Sequence, residues 1–383
     1  MLRFKKEDGN NYPKWNTSKL NEIADVRDGT HDSPKYLKEG YPFITSKNLM
    51  ENGKIDLENI NFISKEDFEK INQRSKVDCG DILFGMIGTI GKPVLVQNGN
   101  FAIKNVALIK PNYNVIDNRY LYEYFNGNQI ENQFRLEQTG GTQKFVSLSI
   151  IRNLNISYPC KEEQNKIADF LTEIDNVIEC SEKEVESLEQ QKKGLIQKIF
   201  SQEIRFKNEN GSIYPDWEKV MIKNCLNYQQ PGKYIVKSTD YKDNYETPVL
   251  TANKAFILGY TNETDGIFTE TPVIIYDDFT MDMKYVDFKF KIKSSAIKIL
   301  SEKENCNLYF MYNKLISLNL ETKTHHRTYI SEVEKIEIDL PSVEEQKKIA
   351  EFLSSFDEAI EAAKEELETW KNIKKGLLQQ MFE

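Results

Sequence analysis

Four short stretches carry residue types that could do chemistry, and each fails on spacing. Ser33-Pro34-Lys35-Tyr36 has one proline where the loop of a DNA amino-methyltransferase needs two, so a surface turn accounts for it. Gly85-Met86-Ile87-Gly88-Thr89-Ile90-Gly91-Lys92 has the wrong glycine spacing for a dinucleotide fingerprint. Pro93 then stands where a phosphate-binding loop needs Ser or Thr. Asp277-Asp278 offers two carboxylates to a metal, with no third acidic or histidine partner close in sequence. Pro215-Asp216-Trp217-Glu218-Lys219 echoes a nuclease carboxylate motif, but its compressed spacing cannot place the acids around an ion. Cys79, Cys160, Cys180, Cys225 and Cys306 form no CxxC pair, so neither a disulfide framework nor a zinc site is indicated. His31, His325 and His326 are the only histidines. No credible active site remains, catalytic and metal residues are expected to be none, and binding becomes the function to look for.

Composition fits an ordinary folded chain: 39% hydrophobic and 29% charged over 383 residues, enough for two or three domains. No apolar run approaches the ~18 residues of a membrane span. The segment Met1-Leu2-Arg3-Phe4-Lys5-Lys6-Glu7 has no apolar signal core, so a cytoplasmic protein is expected. The net charge of −9 argues against a uniformly basic nucleic-acid binder, but the acidity is localised. Residues 159–201 and 341–383 each hold six Lys+Arg against ten Asp+Glu, whereas residues 1–158 are net positive. The two acidic segments suit protein partners better than phosphates.

Those two segments are copies. Pro159-Cys160-Lys161-Glu162-Glu163-Gln164-Asn165-Lys166-Ile167-Ala168-Asp169-Phe170-Leu171 matches Pro341-Ser342-Val343-Glu344-Glu345-Gln346-Lys347-Lys348-Ile349-Ala350-Glu351-Phe352-Leu353, and the match runs without a gap to Phe200 and Phe382. A second repeat opens each half: Arg3-Phe4-Lys5, Gly9, Tyr12-Pro13 and Trp15 recur as Arg205-Phe206-Lys207, Gly211, Tyr214-Pro215 and Trp217. The chain is one unit written twice, with boundaries at 1–158, 159–201, 202–340 and 341–383. The interiors between the repeated ends differ, which suggests two similar scaffolds reading two different things.

In each copy Glu-Glu-Gln places negative charge in a first helical turn, where the helix dipole favours it. Apolar residues follow with period seven: Ile167, Ile174, Leu188, Leu195 and Leu171, Ile178, Val185, Ile199. The second copy gives Ile349, Phe356, Trp370, Leu377 and Leu353, Ile360, Leu367, Met381. The stripes are interrupted at Ser181 and Ala363 and at Lys192 and Lys374. Sustained heptads predict two long helices that pair with each other as a coiled coil, the alternative being that each is a single amphipathic helix packed on its own domain. Each would be about 60 Å long, a spacer more than a core element. The globular stretches read as mixed α/β. Strands are predicted at 81–84, 93–96, 106–109, 271–276 and 288–292, and helices at 116–125 and 307–316. The fold class expected is therefore α+β, two similar globular domains separated by two long antiparallel helices, an internal pseudo-two-fold repeat.

With these motifs assembled, the chain resembles the specificity subunits of Type I restriction–modification systems. The resemblance covers essentially the whole chain. Its most specific parts are Pro-x-x-Glu-Glu-Gln-x-x-Ile-Ala-x-Phe-Leu at both positions and Gly80-Asp81-Ile82-Leu83-Phe84 with Gly88-Thr89-Ile90-Gly91-Lys92. It implies two target-recognition domains, each reading one half of a split double-stranded DNA site. It also implies helices that recruit two methyltransferase subunits, with motor–nuclease subunits joining them. S-adenosylmethionine, ATP and Mg would reside on those partners and none on this chain. The duplicated frame agrees: a pseudo-two-fold chain suits two identical partners and two half-sites about 34–36 Å apart, and unlike domains suit an asymmetric target.

Base readout favours Arg, Lys, Asn, Gln, Ser and Thr on loops. The candidates in the first domain are Thr30, His31, Lys47, Asn48, Thr89, Lys92, Gln143 and Lys144. In the second they are Lys233, Asn253, Lys254, Lys323, His325, His326 and Arg327. Arg327 and Lys144 stand out because each lies in a polar loop just before a predicted strand. The partner-helix candidates are the heptad residues from Ile167 to Leu195 and from Ile349 to Leu377. Two other readings compete: a coiled-coil adaptor that binds only protein, and a self-sufficient restriction or modification enzyme.

Overall fold

The computed structural model describes residues 2–87, 90–137, 145–252, 255–321 and 326–382. They divide into two units. The first holds residues 1–182 and 365–383, and the second holds residues 183–364.

In the first unit β1 (Asn16–Lys19) pairs antiparallel with β9 (Asn155–Tyr158), so the repeated Trp15 turn is stitched to the end of the domain. The short helix α1 (Leu20–Ile23) leads into β2 (Ala24–Asp28). A four-stranded antiparallel sheet runs in the order β2-β8-β5-β6, with β5 (Ile82–Gly85), β6 (Gly91–Leu95) and β8 (Val106–Pro111). A three-stranded sheet runs β4-β3-β7, with β3 (Tyr41–Thr45), β4 (Asn61–Ile63) and β7 (Ala102–Lys104), and β3 pairs with β7 in parallel. Four helices complete the domain: α2 (Lys65–Ser75), α3 (Asn118–Phe125), α4 (Asn128–Glu137) and α5 (Leu148–Arg152).

The second unit repeats this topology strand for strand. β10 (Glu218–Met221) pairs with β18 (Glu337–Leu340). The four-stranded sheet is β11-β17-β14-β15, from β11 (Leu226–Gln229), β14 (Val273–Asp277), β15 (Met283–Val286) and β17 (Ile297–Glu302). The three-stranded sheet is β13-β12-β16, from β12 (Thr247–Leu250), β13 (Ile257–Thr261) and β16 (Lys291–Ile292), again with one parallel pair. Helix α7 (Leu308–Ser317) takes the place of α3. The divergent interiors are thus one scaffold.

Two expectations shift. The stretch 288–292 pairs as a strand only at Lys291–Ile292, with Phe290 held by a single bridge to Phe268. The strands expected just after Lys144 and Arg327 do not form there: the helix α5 follows the first, and Arg327 leads into a turn and the 3-10 segment Val333–Lys335. Ser147 accepts a hydrogen bond from Ile150 N and so starts a helical turn.

The long helices are α6 (Lys161–Phe200) and α8 (Val343–Phe382), 40 residues each. They pack antiparallel. In the first unit Asp175 meets Lys374 and Glu182 meets Lys371; in the second Glu189 meets Lys364 and Lys192 meets Asp357. The two lysines that interrupt the heptads are therefore paired across the helices rather than wasted. A single charged residue at such a position fixes register at some cost in stability. The stripes are not purely interhelical, however. Ile167, Leu171 and Ile174 enter the core of the first unit, together with Leu378, Met381 and Phe382 from the end of α8. Ile349 and Leu353 enter the core of the second, together with Ile196, Ile199 and Phe200. The end of each helix is a core element of a domain.

Candidate nucleic-acid interface

The repeated Glu-Glu-Gln motif fastens helix to domain. Glu163 is fully buried and accepts from Arg3 Nε at 3.0 Å and Nη2 at 2.6 Å. Glu345, equally buried, accepts from Arg205 Nε at 3.1 Å, Nη2 at 3.2 Å and Trp217 Nε1 at 3.0 Å. A buried carboxylate is tolerable only with such charge-assisted partners. Gln164 takes the backbone N–H of Asp117 on its Oε1 and donates Nε2 to Val115 O and Pro159 O. Gln346 does the same with Asn307 N, Asn305 O and Pro341 O. Each glutamine grips the loop that starts α3 or α7, so helix and domain cannot shift independently.

At one end of the first domain's sheets several loops converge. Thr30 N donates to Ile103 O at 3.0 Å, and Asn105 N donates to Thr30 O at 3.3 Å. Ser46 Oγ donates to Asn105 O at 2.9 Å and receives Met86 N at 3.3 Å, while Val146 N donates to Met86 O at 2.8 Å. The segments after β2, β3, β5 and β7 and the one entering α5 are therefore one connected surface. His31 lies on it, bridging Asp28 at 2.9 Å and Asn105 at 2.8 Å, with Arg74 also paired to Asp28. Thr30, His31, Ser33, Lys70 and Arg74 line a depression of about 420 Å³. Lys47 is exposed beside Ser46. Lys92 adopts φ 51° and pairs with Glu51 at 3.1 Å.

Asn48 does not belong to that surface. It is 6% exposed, its Oδ1 accepts from Thr45 N and Oγ1, and its Nδ2 donates to Asn59 O. Its amide is consumed in holding the turn after β3, so the expectation that it reads bases is withdrawn.

In the second unit the equivalent end is organised by buried charge. Asp278 Oδ2 lies 2.9 Å from Lys298 Nζ, both side chains 1% exposed. Lys298 also donates to Gln230 Oε1 at 3.0 Å. Thr328 N and Oγ1 donate to Asp278 O, and Tyr329 N to Asp278 Oδ1. Asp277 Oδ1 caps Phe279 N and Thr280 N. The Asp277-Asp278 pair is thus structural, and no cluster of three or more metal-ligating side chains occurs among the described residues. This network joins the loop of Lys233 to that of Arg327. Arg327 is exposed and reaches Ser295 Oγ at 3.5 Å, His326 is exposed beside Glu332 at 3.0 Å, and Lys233 Nζ lies 4.9 Å over the Tyr234 ring. Thr89, Gln143, Lys144, Asn253, Lys254, Lys323 and His325 lie outside the described residues.

Sequence reasoning missed Arg74, Asn105 and the Lys298–Asp278 pair. Asn105 carried a signal: Asn is among the residues enriched in the left-handed conformation, and here its φ is 52°.

Comparison with known proteins matches this architecture. The description "Type I restriction modification DNA specificity domain" fits residues 12–190 and 214–369. The putative type I restriction enzyme MjaX specificity subunit of Methanocaldococcus jannaschii is 28% identical over 412 aligned positions, covering 98% of this chain and 94% of the relative. The EcoR124I/EcoR124II specificity subunit of Escherichia coli is 46% identical over 128 residues, 32% of this chain and 31% of that one. The Type I system S subunit from M. genitalium has the same fold, with TM-score 0.59 at 16% identity, covering 100% of this chain and 99% of that one. The chain belongs to the family of Type I restriction–modification DNA specificity subunits. It is accordingly a non-catalytic component of a Type I restriction–modification complex. Among the described residues no helix is long and apolar enough to cross a membrane.

Proposed function

We propose that residues 1–158 and 202–340 are two target-recognition domains, each reading one half of an asymmetric bipartite site in double-stranded DNA. The observation that carries this is the same strand order in both units combined with different side chains on the same converging loops. Equal scaffolds present equal ends to the duplex, and unlike loops read unlike bases. Thr30, His31, Lys47 and Lys92 in the first domain and Lys233, His326 and Arg327 in the second serve as DNA contacts. Thr89, Gln143, Lys144, Asn253, Lys254, Lys323 and His325 join them.

Segments 159–201 and 341–383 dock two methyltransferase subunits, to which motor–nuclease subunits add. Val185, Leu188, Phe356, Leu367 and Trp370 remain half-exposed along the helices, and the segments are acidic, which supports a protein-binding role. S-adenosylmethionine, ATP and Mg reside on the partners, and the complex works in the cytoplasm. The test is co-expression with the methyltransferase subunit encoded beside it, then genome-wide mapping of methylated adenines. One asymmetric bipartite motif supports the reading. A complex without any motif favours an adaptor, and methyl transfer by this chain alone would establish an enzyme.

A further inference from the structure

Two cysteines distant in sequence meet in the second unit. Cys225 is 1% exposed at the start of β11, and Cys306 is half-buried just ahead of α7. Lys303 N donates to Cys225 O at 2.8 Å, and Cys306 N donates to Lys303 O at 3.1 Å, so one short hydrogen-bonded turn brings the residues side by side. Both side chains belong to the same core, Cys225 within it and Cys306 packed against it.

The first unit has the same turn. There Asn112 N donates to Ile23 O at 2.9 Å and Val115 N to Asn112 O at 2.8 Å. Ile116 N also donates to Asn112 O at 2.9 Å and directly precedes the cap Asp117, as Cys306 precedes the cap Asn307. Ile23 and Ile116 thus occupy the positions of Cys225 and Cys306, and both are apolar and buried in the core. The scaffold needs only an apolar pair here, and burial alone does not call for two thiols.

The pair is also chemically unequal. The neighbouring Cys225 thiol draws the Cys306 thiol below its ordinary value, with Lys303 acting the same way against burial and Glu302. Its neighbour Cys306, and burial, raise the Cys225 thiol. An accessible thiol that ionises readily beside a sheltered one is the arrangement of an attacking and a resolving cysteine.

We propose that Cys225 and Cys306 form a reversible intramolecular disulfide by exchange with a small-molecule disulfide such as glutathione disulfide. The Cys306 thiolate attacks one sulfur of the small disulfide, forming a mixed disulfide and releasing one thiolate. Cys225 then gives its proton to solvent and attacks the Cys306 sulfur, releasing the second thiolate. The protein loses two hydrogens and one small disulfide becomes two thiols.

The position gives the bond a consequence. Cys306 lies between Asn305 and Asn307, whose backbone groups hold Gln346 of α8. The disulfide therefore ties the start of β11 to the loop that anchors the helix, and it closes a long loop, the case in which cross-linking constrains the unfolded chain most.

The experiment uses the full chain in glutathione buffers of rising oxidised fraction, quenched by alkylation and digested. Mass spectrometry should find the Cys225–Cys306 linked peptide, lost again on addition of dithiothreitol. Oxidation should raise the second unit's unfolding temperature by several degrees. Cys225→Ile with Cys306→Ile copies the first unit, so it should fold and show no such shift, while exposed Cys79 and Cys180 still react. The proposal is overturned if Cys306 stops at a mixed disulfide with glutathione, or if both cysteines are recovered alkylated from the most oxidising buffer.

Discussion

The two units spend their polar groups differently on the same scaffold. Where the second has the buried pair Asp278 and Lys298, the first has Met86 and Ala107, both within its core. The correspondence follows from pairing. Val146 N donates to Met86 O as Thr328 N does to Asp278 O, and Phe84 opposes Ala107 as Tyr276 opposes Lys298. The frame differs far less: Arg3, Glu163 and Gln164 act as Arg205, Glu345 and Gln346 do. What recurs is the attachment of domain to helix, and what varies is the end where the loops converge.

The largest effect should come from Lys298→Met, which strands a buried carboxylate and should cost about 3–5 kcal/mol. Urea unfolding should show it. Adding Asp278→Met and placing Ala at 298, as in the first unit, should restore much of that loss. If the double variant is as unstable as the single one, the two ends are not interchangeable.

Arg327→Phe places the residue found at the equivalent Phe145 of the first unit. In the assembled complex it should relax discrimination by about 1–3 kcal/mol at one base pair of the half-site read by the second domain. Competition with single-base duplexes measures this, and the other half-site should be unaffected. A uniform loss over all sequences would make Arg327 a phosphate contact instead.

Trp217→Phe should cost about 1 kcal/mol, since its N–H serves Glu345. Trp15→Phe should cost less, because Trp15 Nε1 has no partner among the described residues. Equal shifts in denaturation midpoint would show that Glu345 gains nothing from the indole.

A further effect concerns pH. Glu123 is buried against Lys374 and Asp175, and burial pushes its carboxyl up to about 8, with Lys374 pulling the other way. The folded state then holds the proton more tightly than the unfolded state. Stability from this group is full below the ordinary carboxylate value and is lost as pH rises towards about 8. Asn313, at the same distance from its cap, is neutral in the second unit. Glu123→Gln should flatten the fall in Tm over that window, and parallel curves for variant and parent would contradict the assignment.

The frame was legible in sequence because Glu163, Gln164 and their copies meet fixed buried geometry, which only those side chains satisfy. The helix pairing was legible from heptads, though Ile167 and Ile349 serve domain cores as well. The shared sheet order was not legible, since strands of two to six residues pair across long separations and leave no common pattern. Asn48 shows why the site was harder still: residue type suggests a reader, while direction and partners decide. The meeting of Cys225 and Cys306 depends on strand pairing in the same way.

The central claim, that each domain independently reads one half-site, has a direct test. Residues 14–158 would be replaced by a second copy of 216–340, and methylated adenines mapped after co-expression with the methyltransferase subunit. Two copies of one reader in a pseudo-two-fold frame should convert the asymmetric motif into a symmetric one built from the second half-site. A stable complex that keeps the original asymmetric motif, or methylates no defined motif, would contradict the account.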